Sequence, residues 1–302
     1  MDYTARLNPL RLAHTLIGHF DVVSCVAMTA DGKRVVSGSY DGTIKVWNAT
    51  TGELLRTFDS KSQFVLCVAL FAGGEWAVSG GNDSTVRVWS LDAGLEIRTF
   101  EGHSRNVNAV AASADCRTIA SASGDWTIKL WSIVSGQCDA TLSDHRDAVS
   151  CVAFSADGQT LASGSKDKTI KVWSVGKRSL LRTIKGHSDD VNGVAFAIDG
   201  VQLLSASDDK TVKMHKWRTG ELERTFSGHR GLVSCVVAPR SGQTVVSSDW
   251  NGEIRIWNMR SGECQSAFTG HAGFVSGMAV PRGGRTLVAG GKDNSIKVWV
   301  LK

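Results

Sequence analysis

Residues 18–47 read GHFDVVSCVAMTADGKRVVSGSYDGTIKVW, a Gly-His pair, two apolar runs, then Asp41 and Trp47. Val22–Met28, Arg34–Ser39, Thr43–Trp47 and, just beyond, Leu54–Phe58 alternate with the period of two that marks strands. Turn residues separate them at Ala30-Asp31-Gly32, Asp41-Gly42 and Thr51-Gly52. The stretch therefore predicts four antiparallel strands in succession and no helix.

The same reading returns every 42 residues. His19 is followed on this period by His103, His145, His187, His229 and His271, with Lys61 at the vacant position. Asp41 is followed by Asp83, Asp125, Asp167, Asp209 and Asp293, with Asn251 completing the set. Trp47 is followed by Trp89, Trp131, Trp173, Trp257 and Trp299, with His215 in the gap. Seven units of one length fill the chain without insertion. Repeated four-stranded sheets with tight turns pack radially around an axis, each sheet burying its faces against its neighbours.

These residues resemble the WD-repeat β-propellers, whose unit carries Gly-His, a turn Asp 22 residues later and Trp six residues after that, as at His19, Asp41 and Trp47. The residue after the Trp is never Asp here, so the family's namesake dipeptide is absent. The expected fold is all-β, a single seven-bladed propeller over residues 11–302, preceded by a short tail at 1–10. The last repeat stops at Ser295–Lys302, one strand short, while Arg11–Leu16 aligns one period before Gly52–Phe58. The N-terminal segment is thus expected to be the fourth strand of the last blade, closing the ring and covering an open edge.

Composition agrees with a folded domain: 42% apolar, 21% charged and only 3 Pro in 302 residues exclude disordered and collagen-like classes. Seven Cys without a C-x-x-C pair argue against a disulfide framework or a zinc site and for a reducing compartment, with the cytoplasm expected. Cys25, Cys67, Cys151 and Cys235 share one repeat position with Ala109, Gly193 and Gly277, which reads as small filling of a crowded inner strand. Neither a signal-like apolar segment nor a membrane-length apolar run is present.

Six of the seven units also place a Ser four residues before the Asp position, at Ser37, Ser79, Ser121, Ser163, Ser205 and Ser247, so that His, Ser and Asp imitate a hydrolase triad. Catalysis needs one asymmetric cleft, whereas this set recurs around a ring and ends on an indole donor. The resemblance implies instead a buried hydrogen-bonded tetrad, with Asp accepting from His, His joined to Ser, and Ser accepting from Trp. Complete sets are His19, Ser37, Asp41, Trp47; His103, Ser121, Asp125, Trp131; and His145, Ser163, Asp167, Trp173. Blade 2 has Lys61 for His, blade 5 His215 for Trp, blade 6 Asn251 for Asp and blade 7 Ala289 for Ser. Trp217 either replaces the missing blade 5 indole or caps the following loop, and Trp126, directly after Asp125, is expected to pack on a neighbouring blade, the alternative being that it extends the binding face. No cofactor or metal is expected, and no enzymatic activity.

The expected function is a protein-interaction scaffold within a larger assembly, itself monomeric and not inserted in a membrane. Its partners are proteins, bound mainly through the face carrying the Gly-His loops and Asp turns. On that face Tyr40, Phe64, Leu66, Leu232, Trp250 and Phe274 fall on blades 6, 7, 1 and 2, which are consecutive in a closed ring. Asp208, Lys166 and Lys292 flank this apolar arc, giving the anatomy of an interface core with a polar rim. The alternative is a ribonucleoprotein-associated propeller touching RNA or a ribosome-like assembly. Against it, the recurring bases Lys45, Arg87, Lys129, Lys171, Lys213, Arg255 and Lys297 are dealt one per blade and make no single patch.

Overall fold

The computed structural model describes residues 10–239, 242–281 and 284–301. The expected tail, residues 1–10, falls outside them up to residue 9, and the first strand already begins at Leu10.

The described strands form seven four-stranded antiparallel sheets, which are the blades of a propeller. In blade 1 the strands are Val23–Met28, Arg34–Ser39, Thr43–Asn48 and Leu54–Asp59, from the central channel outwards. These agree with the sequence-based limits to within a residue at each end. Burial falls from inside to outside: the second strand is buried along almost its whole length, whereas Leu54–Asp59 buries only Phe58. The apolar alternation of the inner strands is thus spent on neighbouring blades, and the outer strand faces water.

Each of the seven core clusters straddles a blade boundary, as when Val35 and Trp47 of blade 1 pack with Val288, Ile296 and Val298 of blade 7. The repeated Cys position explains itself in this crowding. A β-bulge after Val23 sets Cys25 opposite Gly38, where an added Cβ would lie 2.8 Å from the Cys25 sulfur. Cys67 and Cys151 likewise face Gly80 and Gly164, while Ala109 faces Ala122 and Gly193 faces Ala206. Cys235 faces Ser248 and Gly277 faces Gly290, so a thiol at this position is met by nothing larger than serine. Burial pushes the Cys25 thiol up to about 11 and that of Cys151 to about 12, which keeps both protonated and unreactive.

Ring closure follows the expected route. Leu10–Ile17 pairs antiparallel with Ser295–Leu301 and becomes the outer strand of the last blade. Leu16, 2% exposed, sits opposite Ile296 and joins the core between blades 7 and 1. At the channel each blade also hooks the next. The Ser24 hydroxyl donates to the Val65 carbonyl at 2.6 Å, Asn108 to Val149 at 2.9 Å, Asn192 to Val233 at 3.1 Å and Ser234 to Val275 at 2.6 Å. Ser276 donates to Val23 and carries the series across the junction of the two chain ends. At the two remaining boundaries thiols stand in, Cys67 reaching Val107 at 3.6 Å and Cys151 reaching Val191 at 3.9 Å.

Removing residues 1–17 strips the outer strand from blade 7 and exposes the row that Leu16 covers. The melting temperature is expected to fall by about 10 °C or more, given roughly 2–4 °C per kcal/mol for a chain of this order. Differential scanning calorimetry of the truncated and full chains checks this, and an unchanged melting curve would contradict closure by this strand.

Candidate functional site

The recurring His, Ser, Asp and Trp meet in one cluster per blade. In blade 1, His19 Nδ1 is 2.8 Å from Asp41 Oδ2, His19 Nε2 is 2.8 Å from Ser37 Oγ, and Trp47 Nε1 donates to Ser37 Oγ at 2.9 Å. Blades 3 and 4 repeat this at 2.7 to 2.8 Å for His103 with Asp125 and Ser121, and for His145 with Asp167 and Ser163, closed by Trp131 and Trp173. One ordering satisfies every atom: the indole donates to Ser, the hydroxyl donates to Nε2, and Nδ1–H donates to the carboxylate. Gly18 precedes His19 because an added Cβ would stand 3.0 Å from the Trp47 ring.

The Asp is the hub. Asp41 accepts from the Phe20 backbone N–H at 3.0 Å, the Thr43 N–H at 2.9 Å and the Thr43 hydroxyl at 2.6 Å. The loop entering the blade is thereby fastened to the turn between its second and third strands. Burial opposes ionisation of Asp125, but hydrogen bonds from Thr127 and His103 prevail and hold its carboxyl down at about 2. Burial also lowers His19, His103 and His271 below the ordinary imidazole value, against the pull of their aspartates. The cluster therefore favours neutral imidazole on ionised carboxylate. Both shifts are downward, so their stabilisation is present above the unfolded values and is lost on acidification, first through the histidine and then through the carboxylate range.

Four blades depart from the pattern, each in its own way. In blade 2 Lys61 replaces His, and Asp83 turns to Arg87 at 2.7 Å while Trp89 keeps its bond to Ser79. In blade 5 His187 keeps Asp209 and Ser205, but His215 occupies the indole position with both ring nitrogens buried and unpartnered. Burial, with His187 and Lys213 adding to it, lowers His215 to about 4. Trp217 does not replace the lost indole: its N–H donates to the Gly200 carbonyl at 2.8 Å and its ring meets Phe196, so it caps a turn. In blade 7 the His271 Nε2 lies 3.1 Å from the Ala289 carbonyl in place of a serine.

Blade 6 corrects the reading that its carboxylate is missing. Asp249, two residues before Asn251 and fully buried, lies 3.2 Å from His229 Nδ1 and accepts from the N–H groups of Gly231, Asn251 and Glu253. Glu253 Oε2 approaches the same ring nitrogen at 3.6 Å, which brings the ligand atoms of the three side chains within 4.8 Å of one another. Arg255 already meets that charge, donating to Glu253 through Nε at 2.7 Å and Nη2 at 3.2 Å.

The tetrads hold up a face with uneven chemistry. Tyr40 and Phe64 pair across blades 1 and 2 with ring centroids 5.3 Å apart, and Trp250 and Phe274 pair across blades 6 and 7 at 5.6 Å. Trp250 is 53% exposed and Tyr40 36%, while Phe64, Leu66, Leu232 and Phe274 are half-buried. Lys166 and Lys292 are exposed and Asp208 half-buried. Phe20 belongs with this group although the sequence reading did not include it. It is 89% exposed, its N–H is fixed by Asp41, and its carbonyl accepts from Asn294 at 3.4 Å. The available signal was a bulky aromatic directly after Gly-His, where the other blades carry Ser, Arg or Ala. Trp126, expected to pack on a neighbour, is instead 46% exposed on the blade 3 turn.

Two family models match this architecture. One described as the TEP-1 second beta-propeller covers residues 74–267, and the WD domain, G-beta repeat covers 10–48, 52–90 and 262–300. The chain belongs to the WD-repeat β-propeller family. Among curated proteins it is similar to periodic tryptophan protein 2 of Saccharomyces cerevisiae, 54% identical over 41 residues, which is 14% of this chain and 4% of that protein. The DDB1- and CUL4-associated factor 13 of Danio rerio is 37% identical over 73 residues, 21% of this chain and 16% of that protein. Ribosome assembly protein 4 of Saccharomyces cerevisiae is 39% identical over 61 residues, 19% of this chain and 12% of that protein. Each match spans a small part of the relative's length.

In this WD-repeat propeller the blade 6 hub stands at Asp249. Asp249→Ala is expected to cost about 1–3 kcal/mol by stranding buried donors. Asn251→Ala is expected to stay within about 0.5 kcal/mol, as for an exposed substitution. Chemical denaturation of the two variants distinguishes them, and equal losses would refute the displaced hub.

Proposed function

We propose that this propeller is a non-catalytic docking scaffold, a subunit of a larger protein assembly, and that partners bind the face carrying the Gly-His loops. The observation that carries the reading is the pair of aromatic contacts Tyr40–Phe64 and Trp250–Phe274 on one continuous arc. Exposed aromatic side chains on pre-ordered loops bind at little entropic cost, because the loops need no further ordering. The serines offer no nucleophile to solvent: Ser37, Ser121 and Ser163 are fully buried and each accepts an indole N–H. The names of the relatives, which speak of ribosome assembly and of an associated factor, agree with work inside assemblies.

A protein partner is favoured over RNA by the fate of the recurring bases. Lys45, Lys129 and Lys171 are hydrogen-bonded to Thr57, Thr141 and Thr183, Lys213 and Lys297 to backbone carbonyls, and Arg87 and Arg255 to acidic neighbours. A ring of bases held in this way offers few free charges to phosphates. No helix among the described residues is long and apolar enough to cross a membrane, and all seven cysteines are free thiols. The free thiols support a reducing compartment such as the cytoplasm.

Affinity purification from source lysate tests the reading with a folded Phe64→Ala, Trp250→Ala, Phe274→Ala variant beside a control, Val134→Ala, Ile198→Ala, altered at exposed turns of the opposite face. Specific protein bands are expected to survive in the control and to disappear with the arc. Retention on the arc variant, or loss only in the control, would move the binding surface elsewhere. Nuclease-sensitive bands would favour the ribonucleoprotein alternative.

A further inference from the structure

The arc does not end in neutral rim. Where it stops, at blade 6, the Trp250 backbone N–H donates to the Leu232 carbonyl at 3.0 Å, and the next carbonyl, of Val233, accepts from Asn192 of blade 5 at 3.1 Å. The same Asn192 amide donates to Asp208 Oδ1 at 2.6 Å, and the Asp208 N–H donates to the Asp190 carbonyl at 2.9 Å. A short chain of hydrogen bonds thus carries the apolar arc directly into a pair of carboxylates at the mouth of the channel.

These carboxylates lack what the others on this face possess. Asp41, Asp125 and Asp167 are each ringed by backbone, hydroxyl and imidazole donors. Asp208 has no cation within 4.0 Å among the described residues, and Lys166, itself largely exposed, comes only to 4.0 Å from Asp190. Lys168 is turned away to Asp189 at 3.4 Å and to the Ser188 carbonyl at 2.9 Å. Burial raises both Asp190 and Asp208 above the ordinary carboxyl value against the opposing pull of Lys166 and, for Asp208, the Asn192 amide, and neighbouring carboxylates, including Asp189, add to the rise. Half-buried negative charge met only by the Asn192 amide and by an exposed Lys166 at 4.0 Å is a cost that an incoming cation reduces.

We propose that the segment docking on this face is a protein segment with an apolar anchor for Trp250 and Phe274 and, a few residues away, a Lys or Arg that enters between Asp190 and Asp208. The inference rests on the docking reading above and gives it a chemistry and a direction. The basic end points to blade 5, where the two carboxylates Asp190 and Asp208 outweigh the one exposed Lys166 beside them, whereas exposed Lys292 on blade 7 repels a second cation in the middle of the arc. A neutral or acidic segment would bury the Asp190–Asp208 pair further with no added positive charge, which selects against it.

The test uses the full chain to select a phage-displayed random dodecapeptide library, followed by affinity measurements on the enriched peptides with Asp190→Asn, Asp208→Asn and with Trp250→Ala, Phe274→Ala. Enriched sequences are expected to pair aromatic or aliphatic residues with nearby Lys or Arg. Their affinity is expected to drop about tenfold or more in each double variant, as for loss of a charge-assisted contact or a central anchor. It is also expected to fall as salt is raised from low to high concentration. Binders that lose affinity with Trp250→Ala, Phe274→Ala yet show no basic enrichment and ignore Asp190→Asn, Asp208→Asn would overturn the basic-segment inference and leave the docking face standing. Binders indifferent to both variants, or no enrichment above background, would overturn both.

Discussion

The contact between a histidine and a carboxylate two strands further on organises this molecule. In five blades it joins Nδ1 of the Gly-His residue to the turn Asp at 2.7 to 2.8 Å, and in blade 6 it is made with Asp249 at 3.2 Å. A propeller blade has no covalent or helical brace, and its loops at one end would otherwise be free. The Asp gathers the entering loop through a backbone N–H and the turn through Thr or Ser, while Ser and Trp anchor the histidine in the wall between blades. Because the hub is buried and fully bonded, each part depends on the others. Function follows from that: a face of loops becomes a rigid surface on which exposed aromatics such as Trp250 hold fixed positions.

A second constraint acts at the channel. Blades bury their inner strands against one another, so the ring must close or leave two unpaired edges. Hydroxyls and amides five residues after the Gly-His position donate to the next blade's inner-strand carbonyl, and Ser276 does so across the joined chain ends. Several residues that face the channel mouth therefore serve the boundary between blades and are not free to meet a partner. Asn192 does both, bridging blade 5 to blade 6 while steering Asp208 toward the end of the aromatic arc.

Most of the fold was legible because periodicity is a property of the chain. One unit gave the strands, the fixed spacing of His, Asp and Trp gave the blade number, and the surplus strand Leu10–Ile17 gave the closure. What escaped depends on geometry that the period conceals. Asn251 at the hub position reads as a lost carboxylate, yet a carboxylate two residues earlier on the strand edge reaches the same imidazole, and only the turn's shape tells that Asp249 can do so. Trp217 lies two residues from the vacant position and on the same strand face, but the strand has ended there and the indole turns to Gly200. Phe20 was overlooked because side-chain direction in a short loop is set by where its N–H is tied.

The central claim is that the carboxylate hubs keep solvent-facing loops in one conformation. Native-state amide hydrogen exchange addresses it directly through Phe20, Ser104, Arg146, Ser188 and Ala272, whose N–H groups donate to turn aspartates at 3.0 to 3.2 Å although their side chains are exposed. The account predicts that the five amides exchange on the timescale of the strand interiors. Exchange of the five at the rates of open loops would contradict it.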